Sequence, residues 1–489
     1  MKEEILRMEN VTCKYNGITF LDHINLNIFK GEIMGLIPIN SQGQPWLFQL
    51  LLQNYPIDYG RIYIDNQLVN YYEHSANNKN RVYIIEKQSK LIQDLTVSDN
   101  IFVLKKGFRK YIINQKVLNK QVNLFLKEVD ASFHPDDLVS QLSRYEQCVV
   151  ELLKAIISGS KLIVISDISN VLSVVELSKL LNLVKYYSKK GYAFLYVGNH
   201  HEEVFKICNR VALMKDGKII RVLDERELTD DSIKAYTISF EDAKPTERKH
   251  DGKGILQFNH VSTNHIKEMS FTVEKGECVV FFDTNNTICT DLLQLMNGEI
   301  YKKSGEIIWD DQVFTKEIGK HPLENGIAVI VENATENMLF WNLSYVENLY
   351  FLIDRKLKSV KNKSKVLKSI VSEYRDIVGE EIYETDLSNL GPASLYNLVY
   401  YRIHLYKPKV VFCLQPFSGA DMYLRKHIAD LIRELKRKGI TVIVLTVSVS
   451  DTLTVADRFL VVENGSIVNE LSKEDSPLSS KWPLNLDKI

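Results

Sequence analysis

Two stretches of this 489-residue chain stand where phosphate-binding loops belong and lack the residues that hold phosphate. The pattern G-x-x-x-x-G-K-[ST] works because its glycines let backbone N–H groups close round a phosphate. Its lysine neutralises charge and its hydroxyl ligates Mg²⁺. The first stretch, Pro38-Ile39-Asn40-Ser41-Gln42-Gly43-Gln44-Pro45, follows Gly31-Glu32 and an apolar run, and keeps Gly43 alone of the fixed positions. Pro38 stands at the first glycine and Gln44 at the lysine. Pro45, with neither N–H nor hydroxyl, stands at the Ser/Thr position. The second stretch, Asp283-Thr284-Asn285-Asn286-Thr287-Ile288-Cys289-Thr290, follows Gly276-Glu277 and keeps Thr290 alone. Asp283, Ile288 and Cys289 replace the first glycine, the second glycine and the lysine, and a carboxylate aimed into a phosphate cradle repels the ligand.

The elements that must position these loops come in two copies. Gly31-Glu32 recurs as Gly276-Glu277 (276 − 31 = 245), and Leu95-Thr96-Val97-Ser98-Asp99-Asn100 recurs as Leu343-Ser344-Tyr345-Val346-Glu347-Asn348 (348 − 100 = 248). Asn209-Arg210-Val211 and Asp457-Arg458-Phe459 keep the second offset. Matches in one order with slightly drifting offsets signal a tandem repeat with small loop insertions. Leu162-Ile163-Val164-Ile165 and Val410-Val411-Phe412-Cys413 are short continuous apolar runs, expected in strands buried on both faces. Helical patterns at 175–188 and 425–438 alternate with them, which predicts an α/β fold with a mainly parallel sheet in each copy. The copies are expected at 1–236 and 254–471, joined by a polar linker at 237–253 and followed by a loose tail at 472–489.

Composition is that of a globular protein, 45% hydrophobic and 25% charged, and a net charge of −1 gives no general attraction to nucleic acid or anionic bilayers. No run of 18 apolar residues and no leader peptide are seen, so direct membrane insertion is not expected. The six cysteines are scattered without ligand-like spacing and read as small buried hydrophobes, and no metal site is expected. His200-His201-Glu202-Glu203 lacks the H-E-x-x-H spacing and reads as a solvated helix start. Tyr396, Tyr400, Tyr401 and Tyr406 read as packing at near-helical spacing, and Lys105, Lys106 and 108–111 as a small solvated basic face, with no nucleic-acid role.

Further motifs carry a resemblance. Leu142-Ser143-Arg144-Tyr145-Glu146-Gln147 with Val150-Glu151 is similar to the signature segment L-S-V-G-Q-Q-Q-M-V-E of double ATP-binding-cassette subunits of carbohydrate importers. Lys87-Gln88 and Leu91 resemble that family's Q-loop. His200 to Phe205 resembles the stretch after its switch histidine, Glu332-Asn333 its E-D-R, and 409–421 its K-V-L-I-L-D-E-P-T-R-G-I-D. The likeness spans nearly the whole chain. It implies two tandem P-loop NTPase domains of ABC type, each with a mainly parallel sheet, an antiparallel subdomain and a helical signature subdomain. It also implies pairing of the two domains within one chain, ATP and Mg²⁺ as cofactors, an integral membrane permease as partner, and a place at the cytoplasmic face of the membrane.

The same resemblance marks what is missing. Ser166 and Asp167 take the place of the metal-holding and water-activating Asp-Glu in copy one, and Leu414 and Gln415 take it in copy two. The switch histidine falls on Asn199 in copy one and near Val447 in copy two. Tyr145 stands at the critical signature glycine of copy one. Copy two reads Leu390-Gly391-Pro392-Ala393 without gaps, or Leu387-Ser388-Asn389-Leu390 with one. Tyr15 takes the place of the adenine-stacking aromatic. Remaining nucleotide contacts are therefore expected from Tyr15, Asn40, Ser41, Gly43, Gln44, Pro45 and Thr290, with vestigial catalytic positions at Asp167, Ser166, Asn199, Gln415 and Leu414. Losing clamp, metal ligand, base and γ-sensor together removes the electrostatic stabilisation on which phosphoryl transfer depends. The expected function is a degenerate pseudo-ATPase that docks a permease or other protein. The alternatives are a working sugar-import ATPase and a soluble regulator derived from one.

Overall fold

In a computed structural model, residues 3–69, 80–102, 115–234, 236, 252–354, 360–447 and 452–472 are described. The linker centre at 237–251, the basic run at 105–111 and the tail beyond 472 lie outside them. The chain forms two compact units, Met1–Ser239 and Phe240–Ile489.

Each unit has the same two sheets. In unit one a six-stranded sheet runs in the order Lys218–Asp224, Arg210–Lys215, Ile33–Pro38, Ala193–Val197, Leu162–Ser166, Val82–Ile85. Its pairings are parallel except for the antiparallel edge strand Lys218–Asp224. A four-stranded antiparallel sheet contains Ile18–Phe29, Glu4–Tyr15, Tyr59–Ile64 and Gln67–Leu68. Unit two repeats the larger sheet as Ser466–Ser472, Arg458–Glu463, Cys278–Asp283, Thr441–Thr446, Val410–Leu414, Ile327–Ile330, and has its own four-stranded antiparallel partner. Every residue of Ile33–Pro38 and of Cys278–Asp283 is buried, because helices cover one face of each larger sheet and the antiparallel sheet with the loop helix covers the other. Helices Val174–Lys189 and Met422–Arg437 stand where the periodicity placed them, and all six cysteines are free and buried.

The repeated dipeptides are two halves of one device. Arg210 Nε donates to Glu32 at 2.7 Å in unit one, and Arg458 Nε donates to Glu277 at 2.9 Å in unit two. Beside each pair, Asn209 Oδ1 accepts from Ile33 N and Asp457 Oδ2 accepts from Cys278 N, so the first amide of each central strand is satisfied by a side chain.

Candidate functional site

The central strand of each unit leads through a short loop into a helix, Gln44–Leu52 in unit one and Ile288–Met296 in unit two. In unit one Gly43 caps the helix at φ 87°, and a Cβ there would lie 2.6 Å from the Phe20 carbonyl oxygen, so glycine is required by both backbone and space. Asn40 is committed to the neighbouring turn: its Nδ2 donates to Asp216 Oδ1 at 2.6 Å and its Oδ1 accepts from Asp216 N at 3.0 Å. Ser41 is exposed, Gln44 half-buried, and Pro45 lies exposed in the first turn of the helix. Tyr15, 57% exposed, has its ring centroid 5.6 Å from that of Trp46, which stacks on Phe20 at 4.8 Å. A tryptophan on the loop helix thus meets the aromatic that the sequence offered for a base.

Unit two goes further. Asp283 is fully buried, and its Oδ2 accepts from Thr287 N at 2.5 Å and from Ile288 N at 2.7 Å, while Oδ1 accepts from Asn285 N at 3.3 Å. Amides at the start of a helix are those that bind an anionic oxygen, and here a carboxylate of the chain itself has taken them. Cys289, at the lysine position, is buried beside it, with its Sγ 3.8 Å from Asp283 Oδ2. Burial first, and the Asp283 charge second, push that thiol well above its ordinary range, so it stays neutral. Thr290 is exposed in the first turn of the helix. One residue on, Asp291 accepts from Thr263 Oγ1 at 2.5 Å and His265 Nδ1 at 2.9 Å. By the offset of 245, Asp291 matches Trp46 and His265 matches Phe20. Both units therefore fasten the loop helix to matching places, Phe20 near the start of strand Ile18–Phe29 and His265 just before strand Met269–Glu274, one by stacking and one by hydrogen bonds.

Beyond the loops, the strand Leu162–Ser166 brings three predicted positions together. Ser166 Oγ donates to Asp167 Oδ2 at 3.1 Å and Asn199 Nδ2 donates to Asp167 Oδ1 at 3.2 Å. In unit two Thr446 Oγ1 donates to Gln415 Oε1 at 3.4 Å, beside buried Val447 and half-buried Leu414. Asp167 and Gln415 share a left-handed backbone, at φ 54° and 45°, which fixes their equivalence.

The two segments read as signature regions have internal contacts of their own. Ser143 caps helix Arg144–Ile157 in a capping box with Glu146, and half-buried Tyr145 packs against the unit-one core. Sequence reasoning did not find what Arg144 does. It donates to the carbonyls of Lys87, at 3.0 Å, and Glu86, and pairs with fully buried Glu151 at 3.2 Å; Glu151 Oε1 in turn accepts from Lys90 N at 3.1 Å. Burial pushes the Glu151 carboxyl above the usual carboxylate range and Arg144 pulls it part of the way back. In unit two helix Pro392–Tyr406 starts at Gly391, which places Gly391 opposite Ser143 and makes the gap-free alignment the structural one. Tyr396, Tyr400 and Tyr406 are buried in that unit's core, and helix His201–Ile207 begins within the histidine pair. No helix among the described residues is long and apolar enough to cross a membrane.

Comparison with known proteins agrees with this architecture. Residues 21–168 match the family model described as ABC transporter. Over 488 residues the chain is 27% identical to the ribose import ATP-binding protein RbsA of Clostridium perfringens (strain SM101 / Type A), covering 96% of each. It is 26% identical to the galactose/methyl galactoside import ATP-binding protein MglA of the same strain, covering 98% of this chain and 96% of that one. Among solved structures, archaeal ribosome recycling factor aABCE1 in complex with stalk protein aP1 aligns with a TM-score of 0.59 at 13% identity, covering 95% of this chain and 90% of that one, a likeness of fold alone. Two repeated sheet units, the ABC transporter match over 21–168 and the end-to-end likeness make this chain similar in sequence and architecture to the tandem-cassette ribose and galactose import ATP-binding proteins.

Proposed function

We propose that the chain is a tandem cassette of the carbohydrate-importer type whose nucleotide sites have been given over to internal contacts, and that it works by docking a protein partner with little or no ATP turnover. The partner in this reading is an integral membrane permease, met at the cytoplasmic face of the membrane, with cassettes at 1–236 and 254–471. The observation that carries it is the Asp283 carboxylate lying across the Thr287 and Ile288 amides. An anion already fills the place of a phosphate, and its charge opposes the entry of another. Unit one adds Pro45 in the first helical turn and Trp46 against Tyr15.

The second reading, a working transport ATPase, is favoured by one feature: Asp167 keeps a carboxylate beside Asn199, where a water could be oriented. A Mg²⁺-dependent phosphate-release assay on the full chain separates the two. The expected result is hydrolysis at background, unchanged by Asp167→Asn. Ready turnover that Asp167→Asn abolishes would establish the second reading instead.

A further inference from the structure

One polar cluster in unit two has no counterpart in unit one. Tyr345 and Tyr374 are buried, and Tyr374 Oη lies 2.9 Å from Nδ1 of half-buried His404. The Tyr374 ring also faces Tyr401, with centroids 5.6 Å apart. The Tyr345 hydroxyl has no hydrogen-bond partner among the described residues. Helices Tyr345–Asp354, Val360–Val378 and Pro392–Tyr406 meet at this cluster. The offset of 248 relates buried Asn100 and Asn348, each of which clamps a loop through one backbone N–H and one carbonyl. At that offset the four places of the cluster fall on Val97, Leu126, Leu153 and Ile156 (404 − 248 = 156), all buried in the unit-one core. Unit one closes the junction there with aliphatic side chains. Unit two closes it with hydroxyls and a titratable ring.

Tyr374 and His404 stand on different helices, so their hydrogen bond ties Val360–Val378 to Pro392–Tyr406. The Tyr374 hydroxyl has no other acceptor among the described residues, so it donates to Nδ1 of the neutral ring. A proton on Nδ1 removes that acceptor and leaves a buried donor unpaired. It also sets a positive charge between helices. Around the ring stand Lys407 at the end of its own helix, Glu434 and Lys438 at the end of helix Met422–Arg437, and Glu373 beside Tyr374. Burial first, and Lys438 second, hold the imidazole below its ordinary range; Lys407 adds to this, and Glu434 and Glu373 oppose it. A folded value below the unfolded one means that the unfolded chain takes the proton first. Stability is therefore lost as pH falls through the ordinary value of 6.5, and the loss is complete below the folded value. We propose that Tyr374 and His404 form an acid-sensitive latch that loosens the helical layer of unit two while the aliphatic layer of unit one stays closed. The latch requires neither nucleotide nor a docked partner.

Hydrogen exchange on the full chain, near pH 7.5 and near pH 5.5, tests this with rates expressed as protection factors, and unit one serves as the control within the same molecule. Protection of Val360–Val378 and Pro392–Tyr406 falls by about threefold to tenfold at the lower pH, and that of Gln115–Glu128 and Arg144–Ile157 does not fall. His404→Gln keeps an acceptor for Tyr374 and does not titrate, so protection in this variant is the same at both pH values. Equal loss in the two units, no loss in unit two, or a loss that survives His404→Gln overturns the inference. The comparison of the two units needs no variant, so it decides the matter even where His404→Gln fails to fold.

Discussion

Asp283 shows how one side chain can occupy the amides at the start of a helix from within the chain. The amides of Thr287 and Ile288 need acceptors in a buried place, and the carboxylate supplies them from within the chain. Replacing Asp283 with alanine should leave both amides unsatisfied, a loss of about 1–3 kcal/mol for a buried polar group. Hydrogen exchange at those two amides should quicken by roughly tenfold to a hundredfold, with helix Met422–Arg437 of the same unit unchanged. Unchanged exchange at Thr287 and Ile288 would mean that the carboxylate does not hold the loop. The sequence announced that a carboxylate stood where a phosphate belongs. That the carboxylate closes on amides four and five residues ahead depends on the loop's backbone path, which residue types alone do not give.

Elements were legible to the degree that their patterns were continuous. Ile33–Pro38, Leu162–Ser166 and Val410–Leu414 could be read because a strand covered on both faces tolerates only apolar side chains. The repeated Gly-Glu and Asn-Arg or Asp-Arg pairs were visible as a repeat, but their meeting as ion pairs across the fold was not. The same holds for Arg144, whose contacts reach back to the carbonyls of Glu86 and Lys87. This clasp ties helix Arg144–Ile157 to the loop after Val82–Ile85, and unit two, with Pro392 and Val399 at the matching places, has no such pair. Arg144→Met should therefore destabilise unit one by about 3–5 kcal/mol, because it strands a buried carboxylate. The folded pKa of Glu151 is already raised, so the folded state holds the proton more tightly than the unfolded one. Its contribution accordingly worsens as pH rises through the window above the ordinary carboxylate value and is relieved below it. Without Arg144 that window should widen upward. Urea midpoints near pH 4 and pH 7 check the sign: the variant's deficit should be larger at pH 7, and adding Glu151→Gln should recover much of it. A deficit independent of pH would show that Arg144 acts through the loop carbonyls alone.

At the scale of the whole molecule, the two units share their sheets and their buried asparagine clamps, while in the proposed reading the positions that would touch nucleotide carry Pro, Leu, Ile, Trp and an internal carboxylate. Most substitutions destabilise and folded proteins have little stability to spare, so chains without a role would also be expected to lose buried strands and clamps. Retention of Asn100 and Asn348, each fully committed to shaping a surface loop, points to those loops as what is kept. Affinity recovery from native membranes with the full chain as bait should return a permease-like integral membrane protein. Lys90 gives a clean perturbation, since it is exposed and its side-chain partner is the half-exposed Glu86. Surface pairs of that kind contribute at most about 1 kcal/mol, so Lys90→Glu should leave the melting temperature nearly unchanged. It should nevertheless weaken recovery of the membrane partner, and more so at low salt, where the reversed charge is least screened. Recovery of soluble proteins alone, or recovery indifferent to Lys90→Glu, would turn the reading from a transport-linked subunit to a regulator that has left the membrane.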